Sequence, residues 1–178
     1  KIIIVAAGAI ESARLLFLSK NEQHPDGIGN NSGHVGKHLI FHHLWRGFLH
    51  YKDYLFPGRF GGITGQSHQF LNPQGRGRHG GIKIEFPSHI GIYLDELIER
   101  LRKGSEIVKT MESLRHQRLI IFHAESNPTP KKYIVLSKKR DRFGDPYAHV
   151  HYESSEFDHE SYRFAQKLFD RFVKATGP

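Results

Sequence analysis

The chain opens on an uninterrupted apolar run, Lys1-Ile2-Ile3-Ile4-Val5-Ala6-Ala7-Gly8, and this feature limits the fold more than any other. β-Branched residues in unbroken succession, with no polar alternation, are the pattern of a strand buried on both faces of a parallel sheet. Ending the run on Ala6, Ala7 and Gly8 removes side-chain bulk, so that another backbone or a ligand can approach closely. From Ile10 the period changes. Ile10, Ala13, Leu16 and Phe17 fall on one helical face up to Ser19, and Glu11 lies in the first turn, where a negative charge complements the helix dipole. Strand, tight glycine turn and helix are the expectation for residues 1–19. Because Lys1 already stands inside the run, without a Met or a leader, the natural start is expected upstream.

Beyond this unit the punctuation changes. Residues 21–34 are rich in Gly, Asn, Ser and Asp and sustain neither period, which predicts a long loop. Aromatic and β-branched residues then recur between Gly and Pro breaks over His42 to Tyr51, Arg59 to Phe70 and His79 to Phe86, as in strands of an antiparallel sheet. Ile92 to Met111 carries two short helical patterns interrupted at Gly104, the first with Leu94, Leu97, Ile98 and Leu101 on one side. Leu119 to Ala124, Tyr133 to Ser137 and Tyr147 to Tyr152 read as further strands, and Phe157 to Ala175 as a closing helix with Phe164, Leu168 and Phe172 four residues apart. The predicted class is α+β: a mostly antiparallel sheet flanked by helices, preceded by the strand–turn–helix.

With 178 residues the chain has the size of one domain, or of one plus a fragment. A hydrophobic share of 38% with 12% aromatics excludes a disordered segment. The apolar run is far shorter than the roughly 20 residues that cross a bilayer. No cysteine is present, so disulfides, thiolate metal sites and a cysteine nucleophile are excluded. The formal charge of +8 would attract phosphates or nucleic acid, which defines an alternative reading as a non-catalytic basic binding module. However, the basic residues are spread from Lys1 to Lys174 rather than massed, so nucleic acid is not the expected partner.

Single motifs weigh less. Gly75-Arg76-Gly77-Arg78-His79-Gly80 spells a phosphate-loop pattern, but it precedes a strand instead of joining strand to helix, so the anion-binding helix terminus is missing. His149 and His151 share a strand side, and His38, His42 and His43 cluster, yet His42 and His43 would point to opposite faces and no metal-ligand spacing results. No metal site is predicted. Arg76-Gly77-Arg78 and Lys138-Lys139-Arg140 read as solvated turn tips. Phe41, Trp45, Phe48, Tyr51, Phe60 and Phe70 suit either core packing or stacking against a sugar. Ser12 lacks the Gly-x-Ser-x-Gly setting of a hydrolase nucleophile.

Taken together, Ala6-Ala7-Gly8-Ala9-Ile10-Glu11-Ser12-Ala13-Arg14-Leu15-Leu16 with Leu18-Ser19, Gly27-Ile28-Gly29-Asn30-Asn31-Ser32-Gly33, and Val35-Gly36-Lys37 with Leu39 and His42 closely resemble the glucose–methanol–choline family of flavin oxidoreductases. Glu125 to Pro128, Tyr133 to Ser137 and Asp141-Arg142-Phe143-Gly144-Asp145-Pro146 resemble the strands and turn before that family's final catalytic segment. The likeness is strongest over residues 1–42 and 119–152, thin over 50–115, and closest to the branch of sugar and gluconate dehydrogenases. It implies that residues 1–40 are the end of a Rossmann-like FAD-binding domain with its connecting loop, and that residues 41–178 are a substrate-binding domain. It further implies Ala7, Gly8, Asn30 and His42 as cofactor-binding residues, FAD as the cofactor, and a small alcohol or sugar as substrate.

Departures from the family pattern shape the remaining expectations. The family's glycine-rich phosphate loop belongs near the start of the full protein, and its catalytic pair, a His with a second His or Asn, follows a helix like Phe157 to Ala175. No catalytic residue is therefore assigned in this chain. Phe41 stands where relatives often carry Asp before the histidine matched by His42. The opening run is expected to dock beside a nucleotide-carrying half, and the chain by itself is expected neither to hold FAD tightly nor to turn over substrate. Sheet surface left bare without that half is expected to draw copies of the chain together. Nothing in the sequence specifies the compartment.

Overall fold

The computed structural model describes residues 2–55, 62–74, 76–87 and 104–177. Its elements run α1 (Gly8–Leu18), β1 (His43–His50), β2 (Ile63–Phe70), β3 (Ile82–Pro87), α2 (Gly104–Leu114), β4 (Gln117–Ala124), β5 (Lys132–Arg140), β6 (Pro146–Tyr152) and α3 (Glu156–Thr176). The fold is α+β, with both sheets antiparallel. Among the described residues no helix is long and apolar enough to cross a membrane. The expected strands over 42–51, 79–86, 119–124, 133–137 and 147–152 correspond to β1 and β3–β6, and β2 matches the strand expected over 59–70, of which residues 59–61 lie outside the described residues. Leu94, Leu97, Ile98 and Leu101 lie outside the described residues.

The chain divides into two compact units, one of residues 1–41 with 127–155, the other of residues 42–126 with 156–178. In the first, α1 packs on the β5–β6 hairpin. Its core is Ala13, Leu39 and Ile134, flanked by Ile10, Phe17, Val35, Ala148 and Tyr152, which includes much of the helical face read from the sequence. The hairpin closes through the Asp141 carboxylate, whose Oδ1 accepts from the backbone N–H groups of Phe143 and Asp145, the local bonding that suits aspartate to turns. Arg14 fastens helix to turn: Nη2 donates to Asp141 Oδ2 at 2.6 Å and Nε to the Pro146 carbonyl at 2.7 Å.

The opening run departs from its expectation. Residues 2–6 form no strand, and Ile2, Ile3 and Ile4 are 91, 89 and 83% exposed. A strand exists through its ladder to a neighbour, and none of the described strands pairs with this segment. The buried, two-sided strand is thus corrected to an exposed apolar ribbon, while the helix that follows it forms as predicted.

The second unit is a four-stranded sheet in the order β1-β4-β3-β2, covered on one face by α3. Register sets the layers: Trp45, Phe122 and Ile84 stand in one row across β1, β4 and β3, and Ile82 pairs with Ala124 in another. With Leu49, Ile120, Ala165 and Leu168 they form the larger core. The spacing of Phe164, Leu168 and Phe172 lays the apolar stripe of α3 on this surface. At Gly47 the ring of Phe169 comes so close that an added Cβ would lie 2.2 Å from it. Phe169 also packs edge-on against Trp45 with ring centres 4.9 Å apart.

Candidate functional site

In the first unit Ala7 and Gly8 lie at the start of α1. Gly8 has φ of +82°, a left-handed conformation that side chains resist, and opens the helix without bulk: nothing lies within 4 Å of where its Cβ would stand. Ala7 offers no side-chain cap, and its own N–H donates to Ser12 Oγ at 3.2 Å. That bond is the role the structure gives Ser12. The first-turn N–H groups thus lack the usual side-chain acceptor, an arrangement that favours anions, although Glu11 brings a negative charge into the same turn.

A cleft of about 280 Å³ beside this helix is lined by Ala9, Ala13, Lys37, His38, Leu39 and Ile40, among others. Lys37 and His38 also line a cavity of about 420 Å³ with His34, Tyr133 and Val135. His38 has φ of +58°, a strained backbone for a residue with a side chain, and such strain concentrates at functional sites. Behind the cavity Tyr133 stacks on His151 at 4.4 Å, and His151 meets the edge of His149. The loop that carries Lys37 is held to β5 by the Ile134 N–H, which donates to the Gly36 carbonyl at 2.7 Å.

Asn30 spends its amide inside its own loop: Nδ2 donates to the Asp26 carbonyl and Oδ1 accepts from the Val35 N–H, each at 3.0 Å. What the structure shows of this side chain is loop closure.

His42 belongs to the second unit, so the four residues of the predicted cofactor set divide between the units. Its exposed ring stands edge-on to His123, with centres 6.0 Å apart. His123 Nε2 in turn lies 2.7 Å from Glu85 Oε2, and Lys83 binds the other carboxylate oxygen. Burial pushes the Glu85 carboxyl up, but hydrogen bonds from Lys83 and His123 outweigh it and hold the group below the ordinary carboxylate range. Sequence reasoning missed this trio. Lys83 and Glu85 lie two apart on a strand, a visible signal, but His123 joins them only through the pairing of Lys83 with His123.

His43 turns to the opposite face, as strand alternation requires. It contacts the Tyr162 hydroxyl at 2.9 Å and the buried Asp158 at 3.5 Å, anchoring the start of α3. Of the aromatics considered for stacking, Trp45, Tyr51 and Phe70 pack on the core, Phe41 lies against Tyr152, Phe48 is exposed, and Phe60 is outside the described residues. Arg76 bonds the Leu71 carbonyl and Glu125 rather than framing a phosphate loop, whose first glycine, Gly75, is outside the described residues. Among the described residues no three His, Asp or Glu side chains are grouped so as to hold a metal ion.

No protein-family model matches the chain. Over an alignment of 198 positions it is 26% identical to the fructose dehydrogenase large subunit of Gluconobacter japonicus, covering 99% of this chain and 33% of that protein. Over 46 positions, 26% of this chain and 8% of the relative, it is 48% identical to 2-methyl-1,2-propanediol dehydrogenase of Mycolicibacterium austroafricanum. The chain therefore spans about a third of the length of the first relative and far less of the second. Both relatives are dehydrogenases, and the similarity supports an oxidoreductase role.

Proposed function

We propose that the chain is the substrate-domain portion, with the end of the FAD-binding domain, of an FAD-dependent oxidoreductase of the glucose–methanol–choline kind that acts on CH–OH groups of alcohols or sugars. The observation that carries this reading is the similarity to a sugar dehydrogenase along 99% of the chain, joined to the motifs over residues 6–42. Both relatives' names denote compounds with hydroxyls on adjacent carbons, which narrows the proposed substrate to a polyol or vicinal diol. The exposed opening ribbon lends no support of its own, because the strand expected there is not formed.

The residues at the start of α1 fit the rim of a flavin nucleotide site. Gly8 leaves room for close approach, the first-turn N–H groups are donors without a side-chain cap, and Lys37 places a cation on the adjoining cleft. When bound, the flavin would accept a hydride from the substrate carbon. Ala7 and Gly8 would border it, Lys37 would offset anionic charge, and Ile2–Val5 would add a strand to the sheet of the nucleotide-binding half.

The test compares two proteins. The 178-residue chain should purify without stoichiometric flavin and without activity, and a full flavin spectrum from it would overturn the reading. The longer protein encoded with its flanking sequence should carry flavin that bleaches on adding a sugar or diol. That flanking sequence should also supply a glycine-rich phosphate loop upstream and a histidine downstream.

A further inference from the structure

A groove of about 290 Å³ in the second unit plays no part in the functional reading above. It lies where β2, at the end of the strand order, meets the C-terminal half of α3. The buried Ile84 and Leu168 close its base, and the half-buried rings of Phe70 and Phe172 wall it. Each ring is backed by another: Phe70 stands edge-on to Phe164 with centres 6.1 Å apart, and Phe172 tilts against Phe86 at 5.6 Å. The walls are thus in place before any ligand arrives, as in most small-molecule sites. A volume at the low end of the about 300–1,000 Å³ usual for such sites suits one short hydrocarbon chain and is too small for a two-chain lipid.

One charged side chain borders this apolar space, the exposed Arg171. The residues three and four away along the helix, which share its face, are Lys167, Leu168, Lys174 and Ala175, so no carboxylate of α3 faces it. Asp170, one residue away, points elsewhere. Arg163 on the same helix is met by Glu156 and Glu160, whereas Arg171 has no ion pair among the described residues. From β2, Ser67 Oγ accepts from the Gln69 N–H at 3.4 Å and keeps its hydroxyl proton to donate. An apolar trough edged by a planar cation and a hydroxyl matches a hydrocarbon chain that ends in a carboxylate, whose two oxygens a guanidinium can take together.

We propose that this groove binds a single-chain carboxylate of the medium-chain fatty acid type, its tail between Phe70 and Phe172 and its head on Arg171 and Ser67. The inference stands apart from the flavin reading, because its test needs no flavin. It uses the 178-residue chain and octanoate, with 1-octanol as the uncharged control, followed by calorimetry. Octanoate should bind saturably and raise the melting temperature, because it ties β2 to α3, and octanol should bind about tenfold more weakly. Arg171→Gln should weaken octanoate about tenfold and leave octanol within about twofold. Ala175→Trp, which fills the groove from an exposed helix position, should abolish both without changing the circular dichroism spectrum. Equal affinity of the wild type for octanoate and octanol, or no saturable binding of octanoate, overturns the proposal. So does an affinity unchanged in both variants, which assigns octanoate to another apolar surface such as the opening ribbon. Cosedimentation with phosphatidylglycerol vesicles that is lost in Arg171→Gln, in place of octanoate binding, makes this face a membrane contact and likewise overturns it.

Discussion

Arg14 shows what one side chain contributes when its donors are divided among separate acceptors. It joins α1 to the β5–β6 turn through Asp141 and the Pro146 carbonyl, and the Asp141 carboxyl is held below its ordinary value of 3.8 chiefly by that guanidinium, against an opposing push from burial. A folded-state value below the unfolded one means that the stabilisation is present above the ordinary carboxylate range and is lost as pH falls through the folded value. Asp141→Asn should therefore lower the melting temperature near neutrality, and the gap from wild type should narrow as pH is taken from neutrality to below the ordinary value of 3.8. Thermal melts across that window check it, and a gap that stays constant with pH would contradict it. Asn30 gives a second prediction at this scale. Removing an amide that makes two loop hydrogen bonds, as in Asn30→Ala, should destabilise the first unit by about 1–2 kcal/mol, read by denaturant titration. If Asn30 instead serves mainly the proposed cofactor, the isolated chain would keep its stability and the longer protein proposed above would lose flavin.

Among the elements, β1 and α3 meet closely where Gly47 faces Phe169. Gly47→Ala would drive a methyl into the Phe169 ring and should cost about 1–3 kcal/mol, partly recovered by adding Phe169→Leu. Phe122→Ala, emptying the centre of the same layer, should cost about 3–5 kcal/mol in the same titration. Elements of this kind were legible in sequence because one face of each is buried within the unit: the fourfold spacing along α3 records that burial, and runs of aromatic and β-branched residues mark β1 and β4 as strands. The opening run was misread for the complementary reason, since its composition suits a sheet that these described strands do not supply. For the candidate site, small residues flagged Ala7 and Gly8, whereas the trio of Lys83, Glu85 and His123 depends on a strand register that composition does not encode. Asn30 was legible as a notable residue, but its visible bonds are those of a loop closure.

At the scale of the whole molecule, exposed apolar residues set solution behaviour. Ile2, Ile3, Ile4 and Val5 form a β-branched ribbon with free backbone groups, a template for pairing with another chain. Ile3→Lys with Ile4→Lys should reduce hydrophobic-dye binding and any self-association, measured by sedimentation, without changing the circular dichroism spectrum. Unchanged dye binding would place the sticky surface elsewhere.

The interleaving of the two units carries a consequence for biosynthesis. The chain passes from one unit to the other after Phe41, returns at Asn127, and crosses again after Ser155. A ribosome making it thus releases the first part of one unit, then most of the other, and only afterwards the hairpin that lets α1 bury Ala13. Because α3 follows all six strands, the apolar face of the four-stranded sheet must wait uncovered while β5 and β6 are being made, and the nascent chain is most in need of chaperone protection in that interval.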